Sequence, residues 1–116
     1  MSILNCFWQT SNEFLERGNS KLDNQDYRGA IYDYGKAIVL NPRNVEVYYN
    51  RAIAKKDLED YQGAIADLNK ALEFDPKFAD AYVIRGILKN DLQDSKGAII
   101  DLNKAIEINP KHRDAY

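Results

Sequence analysis

The side chains able to do chemistry are dispersed along this sequence, and their spacing decides what they can do. Covalent or metal-centred chemistry requires several such groups to converge on one point. The chain has one cysteine, Cys6, and one histidine, His112. A zinc-type Cys/His cluster and an internal disulfide framework are therefore excluded, and neither residue is placed to form an activated nucleophile–base dyad. Carboxylates are plentiful, yet they recur singly, as Asp23, Asp57 and Asp91 do, where general acid–base work needs them paired. The residues thus predict a protein that is not an enzyme and has no cofactor, no metal site and no catalytic residues.

The charge balance narrows the partners. With 16 basic and 18 acidic residues and a net charge of −2, the chain has no positive field to gather nucleic acid and no basic run to hold an anionic membrane. No stretch approaches the roughly 20 apolar residues of a membrane-spanning helix. The opening segment MSILNCFWQT lacks a positive start and a small-residue cleavage site, so it does not read as a targeting signal, and Cys6 lacks the apolar run and preceding small residue of a lipidation site. Together with the single cysteine this fits a cytoplasmic, reducing compartment.

The elements that carry these residues are written three times. YRGAIYDYGKAIVLNPR, YQGAIADLNKALEFDPK and SKGAIIDLNKAIEINPK follow one another at 34-residue intervals. Blocks 11–44, 45–78 and 79–112 share eleven identical columns, among them Arg17/Arg51/Arg85, Lys21/Lys55/Lys89, Asp33/Asp67/Asp101 and Gly29/Gly63/Gly97. Within each block apolar residues recur at spacings of three and four on two successive segments, which predicts two amphipathic helices. Asp26, Asp60 and Asp94 suit the N-cap of each second helix, and Pro42, Pro76 and Pro110 mark its end. Glycine in a helix costs about 1 kcal/mol against alanine, so Gly29, Gly63 and Gly97 predict a close approach of two helices. One helix pair cannot cover its own apolar surface, whereas three stacked pairs can: each copy is the next copy's core.

Tyr48, Arg51, Ala52, Tyr61, Ala64, Leu68, Ala71 and Pro76 in the middle block resemble the tetratricopeptide repeat, and the other blocks match it through Phe14, Gly18, Tyr27, Ala30, Tyr34, Ala37, Pro42 and through Tyr82, Gly86, Leu92, Ala98, Leu102, Ala105, Pro110. The resemblance implies an all-α, right-handed superhelical solenoid of three antiparallel helix pairs over residues 11–112. Ser95, where the other blocks have tyrosine, predicts a looser third hairpin. Residues 1–10 read as a tail or cap in which Phe7 and Trp8 cover the first helix, with a self-association patch as the alternative. Thr10-Ser11-Asn12-Glu13 has the form of a capping box, which starts that helix just after Thr10. Residues 113–116 match 79–82 in register and begin an incomplete fourth repeat. Uncovered terminal repeats, with Ile99, Ile100 and Ile106, give the alternative of a self-associating, homo-oligomeric scaffold.

The same resemblance implies a concave groove lined by the first helices, which holds a peptide or helix of a partner protein. Its residues here are Leu15, Asn19 and Asp23; then Glu46, Tyr49, Asn50, Ile53 and Asp57; then Asp80, Val83, Ile84, Ile87 and Asp91. Chaperone-binding members of the family grip a C-terminal carboxylate with cationic side chains. Asn19 and Asn50 match the asparagines of that clamp, but Leu15, Asp80 and Ile84 stand at its cationic positions, and Asp80 repels an anion. A basic or amphipathic segment is expected instead, drawn by Asp23, Asp57 and Asp91. Asp33, Asp67 and Asp101 are expected as solvated i, i+3 partners of Lys36, Lys70 and Lys104. An RNA-binding helical array, whose period is similar, lacks the basic groove it would need.

Overall fold

Asp26, Asp60 and Asp94 each finish one helix and begin the next. The computed structural model describes residues 3–110, with side chains from Gln9 onward, as α1 (Ile3–Asp23), α2 (Tyr27–Leu40), α3 (Val45–Asp57), α4 (Tyr61–Phe74), α5 (Ala79–Asp91) and α6 (Ser95–Ile108). At the end of α3 the Asp60 N–H donates to the Lys55 carbonyl and the Glu59 N–H to that of Lys56, both at 2.8 Å, a Schellman closure that needs a left-handed residue. Gln25, Glu59 and Gln93 supply it, with φ of 64°, 63° and 69°. Each aspartate carboxylate then accepts the N–H of Gly29, Gly63 or Gly97 at 2.9–3.0 Å.

That cap explains the glycines. A Cβ at Gly29, Gly63 or Gly97 would collide with the capping carboxylate of Asp26, Asp60 or Asp94, so these residues keep the cap in place. The expected helix–helix approach lies elsewhere, in the first helices. A Cβ at Gly18 would stand 2.6 Å from the Tyr34 ring, and one at Gly86 would stand 3.1 Å from Leu102.

The capping box at Thr10 is also corrected. No glycine or proline interrupts the chain between Ile3 and Ser11, and α1 runs through both. Ser11 sits fully buried inside the helix and its hydroxyl donates to the Ala37 carbonyl of α2 at 2.9 Å. The Phe7 and Trp8 side chains, and the start of a fourth repeat at 113–116, lie outside the described residues.

The largest departure from expectation concerns Asp33, Asp67 and Asp101. They are not solvated: their exposures are 0, 4 and 2 %. Each points across the hairpin into the first helix instead of along its own. Arg51 grips Asp67 with two hydrogen bonds of 2.9 and 2.7 Å, and Lys55 lies 3.0 Å away. Arg85 and Lys89 hold Asp101 in the same arrangement. Burial alone would raise the Asp101 carboxyl, but the Arg85 and Lys89 hydrogen bonds outweigh it and hold its pKa below the ordinary value. The stability linked to this carboxylate is therefore present above the unfolded pKa and lost as pH falls through the lower folded one. The first hairpin differs. Lys21 lies 2.8 Å from Asp33 without hydrogen-bond alignment, so both Asp33 oxygens lack a hydrogen-bond partner, while Arg17 stacks 5.1 Å over Phe14.

Packing follows the stacked-hairpin logic. One core cluster joins Leu15, Ala30, Tyr34 and Ala37 to Val47 and Ala54 of the next repeat, and a second joins Ala52, Ala64, Leu68 and Leu72 to Ala81 and Leu88. α3 thus contributes to both. The third hairpin is closed by the same hydrogen bonds as the second, although Leu102 is only half-buried where Leu68 is fully covered by α5. Arg85 also reaches back across the repeat boundary to Asn69 at 2.8 Å. The equivalent place before Arg51 is Gly35, whose Cβ would lie 3.9 Å from the guanidinium.

Two stability measurements check this account by urea unfolding. Arg51→Ala should cost about 2–3 kcal/mol, because a buried carboxylate loses two charge-assisted bonds, and Arg17→Ala less than about 1 kcal/mol; equal losses would refute the assignment. Gly35→Asn should add roughly 0.5–1 kcal/mol by removing a mid-helix glycine and supplying the bond that Asn69 makes. A loss of stability would show that the repeat boundary is built otherwise.

Candidate functional site: the face formed by the first helices

Asn19 is the polar centre of this face. Its Oδ1 accepts the Tyr34 hydroxyl at 2.6 Å and the Asn50 amide at 3.0 Å, so one side chain ties α1 to both α2 and α3. Tyr34 is fully buried, and its hydroxyl needs such a partner. Sequence reasoning missed this link, although a signal exists. The columns read Asn19/Tyr34, Ile53/Leu68 and Ile87/Leu102, so the one hydroxyl enters together with the one amide.

Apolar positions divide between the core and the surface. Leu15 is 7 % exposed and belongs to the first core cluster, so it backs the face instead of lining it. Tyr49 is half-buried against Phe78, with ring centroids 4.8 Å apart. Phe78 stands at the N-cap of α5, where it makes no side-chain cap bond; its equivalent Asn44 accepts the Glu46 N–H at 3.1 Å. The α5 start therefore exchanges a polar cap for an aromatic contact with α3. Ile53, Val83 and Ile84 are half-buried, and Ile87 is 44 % exposed.

The acidic residues lie on the surface. Asp23, Glu46, Asp57, Asp80 and Asp91 are all exposed, and Asp57 has Lys56 at 3.6 Å. Their field reaches the buried Tyr34 and the half-buried Tyr49. The Tyr34 phenol is pushed far above its ordinary pKa by burial and then by Asp23 and Glu46. Tyr49 is raised by burial and then by Asp80. Both tyrosines are held neutral, as hydrogen-bonding and packing groups. Among the described residues no three metal-ligating side chains come together, and no helix is long and apolar enough to cross a membrane.

Comparison with known proteins places this architecture. Residues 18–58 match the TPR repeat, and residues 45–78 and 79–112 each match the tetratricopeptide repeat. The chain is similar to the Arabidopsis OM64 TPR domain, with 32 % identity over 90 % of this chain and 87 % of that one and a TM-score of 0.88. It is also similar to the first TPR of Spaghetti (RPAP3) bound to the HSP90 peptide SRMEEVD, with 29 % identity, 89 % and 82 % coverage and a TM-score of 0.86. The TPR2B domain of yeast Sti1 in its pHsp70 complex gives 27 % identity, 91 % and 85 % coverage and 0.85. A comparison with curated protein sequences finds no match. The chain belongs to the tetratricopeptide repeat family, an all-α solenoid that serves as a protein–protein interaction module.

The Asn19 link gives a direct test. Asn19→Ala should destabilise the fold by about 1–3 kcal/mol, because it strands the buried Tyr34 hydroxyl. The double change Asn19→Ile with Tyr34→Leu, which copies the pair used by the second repeat, should recover most of that loss in urea unfolding. A double variant no more stable than the single one would show that the hydroxyl is satisfied in another way.

Proposed function

We propose that this protein is a binding module without a reaction of its own. Its first-helix face receives a basic or amphipathic segment of a partner protein. The observation that carries the reading is the sign of the charge. Five exposed carboxylates border a strip of half-buried apolar side chains on α3 and α5, and the pKa of Tyr34 and Tyr49 responds to three of them. Val83, Ile84 and Ile87, with the Tyr49 ring, offer apolar anchor points. Asp23, Asp57 and Asp91 recur at the repeat period, so a ligand with regularly spaced Lys or Arg would meet them in register. Each aspartate ends or nearly ends its helix, where a negative charge opposes the macrodipole by about 0.3–1 kcal/mol; an electrostatic role in binding accounts for that cost.

The same charges argue against the ligand class seen with similar structures. SRMEEVD, bound by the first TPR of Spaghetti, carries acidic side chains. On this chain such a peptide would face Asp80 and Glu46, with Leu15 and Ile84 at the positions where cations are required. Asn19 and Asn50 remain able to hydrogen-bond a main-chain peptide group in a ligand of either charge. Self-association is the second reading, supported by the outward Ile99 and Ile100 on α6, which are 57 and 67 % exposed.

Fluorescence anisotropy with a basic amphipathic peptide and with SRMEEVD tests the proposal. The basic peptide should bind and the acidic one should not. Changing Asp23, Asp57 and Asp91 together to Asn should weaken the basic peptide about tenfold and flatten its salt dependence. Unchanged affinity, or preference for SRMEEVD, would overturn the reading. Light scattering over a concentration series on the same samples should give a monomer; a mass that rises with concentration would favour the scaffold reading.

A further inference from the structure

The end of α4 shows what the end of α6 is missing. Phe74 has two cations over its ring: the Arg43 guanidinium is 5.1 Å from the centroid and the Lys70 ammonium 5.6 Å. The Tyr48 ring stands 6.0 Å away. Thirty-four residues later the frame is rebuilt with Lys77, Lys104 and Tyr82 in the same columns. Tyr82 donates to the Pro76 carbonyl at 3.0 Å, as Tyr48 does to Pro42 at 2.8 Å. Lys104 stays beside Glu107 at 3.9 Å, as Lys70 stays beside Glu73 at 3.3 Å. Lysine stands for Arg43 at position 77, and the ring is absent, because Ile108 replaces Phe74. A cavity of about 520 Å³ opens there, lined by Pro76, Lys77, Tyr82, Lys104, Glu107 and Ile108.

We propose that this cavity is a second binding site, which receives an aromatic side chain from a partner protein. The inserted ring takes the place that Phe74 fills in the preceding repeat, against Tyr82 and Ile108 and between the Lys77 and Lys104 side chains. Cations over a ring face are attracted by its quadrupole, so the frame favours an aromatic over an aliphatic occupant. An anion is disfavoured, because Glu107 lines the cavity and already pairs with Lys104. A recess of about 420 Å³ shares Tyr82, Lys104 and Glu107 and leads to the exposed Ile100, which leaves room for residues flanking the ring. None of the lining residues belongs to the first-helix face, so one partner can occupy both sites or two partners one each.

The test uses indole, the tryptophan side-chain analogue, followed by NMR on the full chain. Indole should shift the Ile108 methyl and Tyr82 ring resonances, and cyclohexanol at equal concentration should not. A capped Gly-Trp-Gly peptide should displace indole, and its Gly-Leu-Gly counterpart should fail to. Ile108→Phe, which supplies the ring from within, should abolish the response and raise Tm. Lys77→Met with Lys104→Met, which leaves the cavity open, should weaken indole at least threefold. The proposal is overturned by silence at Ile108 and Tyr82 up to the solubility of indole, by an equal response to cyclohexanol, by a response that survives Ile108→Phe, or by undiminished affinity in the double lysine variant.

Discussion

The architecture depends on a buried carboxylate on each second helix. A pair of helices of 13 or 14 residues, such as α3 and α4, buries small alanines, Ala52 on one helix and Ala64 and Ala71 on the other, beside Leu68 and Leu72. Small side chains permit close approach but define the axial register poorly, since they offer few knobs to catch. A charge-assisted bond is directional. Asp67 and Asp101, gripped by an arginine and a lysine one turn apart on the facing helix, fix where each hairpin closes. Burying a carboxylate is costly unless it is paired, so any sliding that breaks the grip is penalised twice. Asp33 is the exception that shows the principle: its arginine stacks on Phe14, and its carboxylate relies on Lys21 alone.

The lysines connect this register to the turn. Lys21, Lys55 and Lys89 place their ammonium groups on the buried carboxylates while their backbone carbonyls accept the N–H of Asp26, Asp60 and Asp94. Those aspartates in turn cap the next helix. Helix end, helix start and hairpin register are thereby coupled through a few residues. Stacking then requires only that successive hairpins present the same surface, and α3 shows the result: Val47 and Ala54 face backward into one cluster while Ala52 faces forward into the next. A core distributed in this way gives each repeat a stability that depends on its neighbours.

What the sequence disclosed and what it hid divide along locality. The 34-residue period, the helix pairs, the N-cap aspartates and the inward alanines are readable because each rests on residues a few positions apart. Asp33, Asp67 and Asp101 mislead a sequence reading for the same reason. A lysine three residues downstream offered a local partner, whereas the true partners lie 12 and 16 residues upstream, across the turn. The invariant Arg and Lys columns were visible, but only the hairpin geometry joins them to the aspartate. A glycine at position 63 suggests helix packing, yet its neighbour is the cap of its own helix. At Thr10 a sound capping pattern lost to a longer run of uninterrupted helix. On the first-helix face the acidic positions were legible as exposed residues, yet the burial of Leu15 and the Asn19–Tyr34 bond required the packed structure.

Identity between repeats and difference between them carry separate kinds of information. Most identical columns are accounted for by the hairpin itself: the grip, the turn, the cap and the close contacts. Asp23, Asp57 and Asp91 are not. They are exposed, they form no hairpin bond, and they sit where the helix dipole disfavours them, so packing gives no reason for their repetition. Differences point the other way. Where Tyr34 replaces leucine, Asn19 satisfies its hydroxyl. Where Phe78 replaces a capping asparagine, Tyr49 supplies a ring to meet it. Where Ile108 replaces phenylalanine, the surrounding frame persists around an open cavity. The first two substitutions are compensated within the chain. The third has no such complement among the described residues, and the proposed aromatic side chain of a partner would supply it.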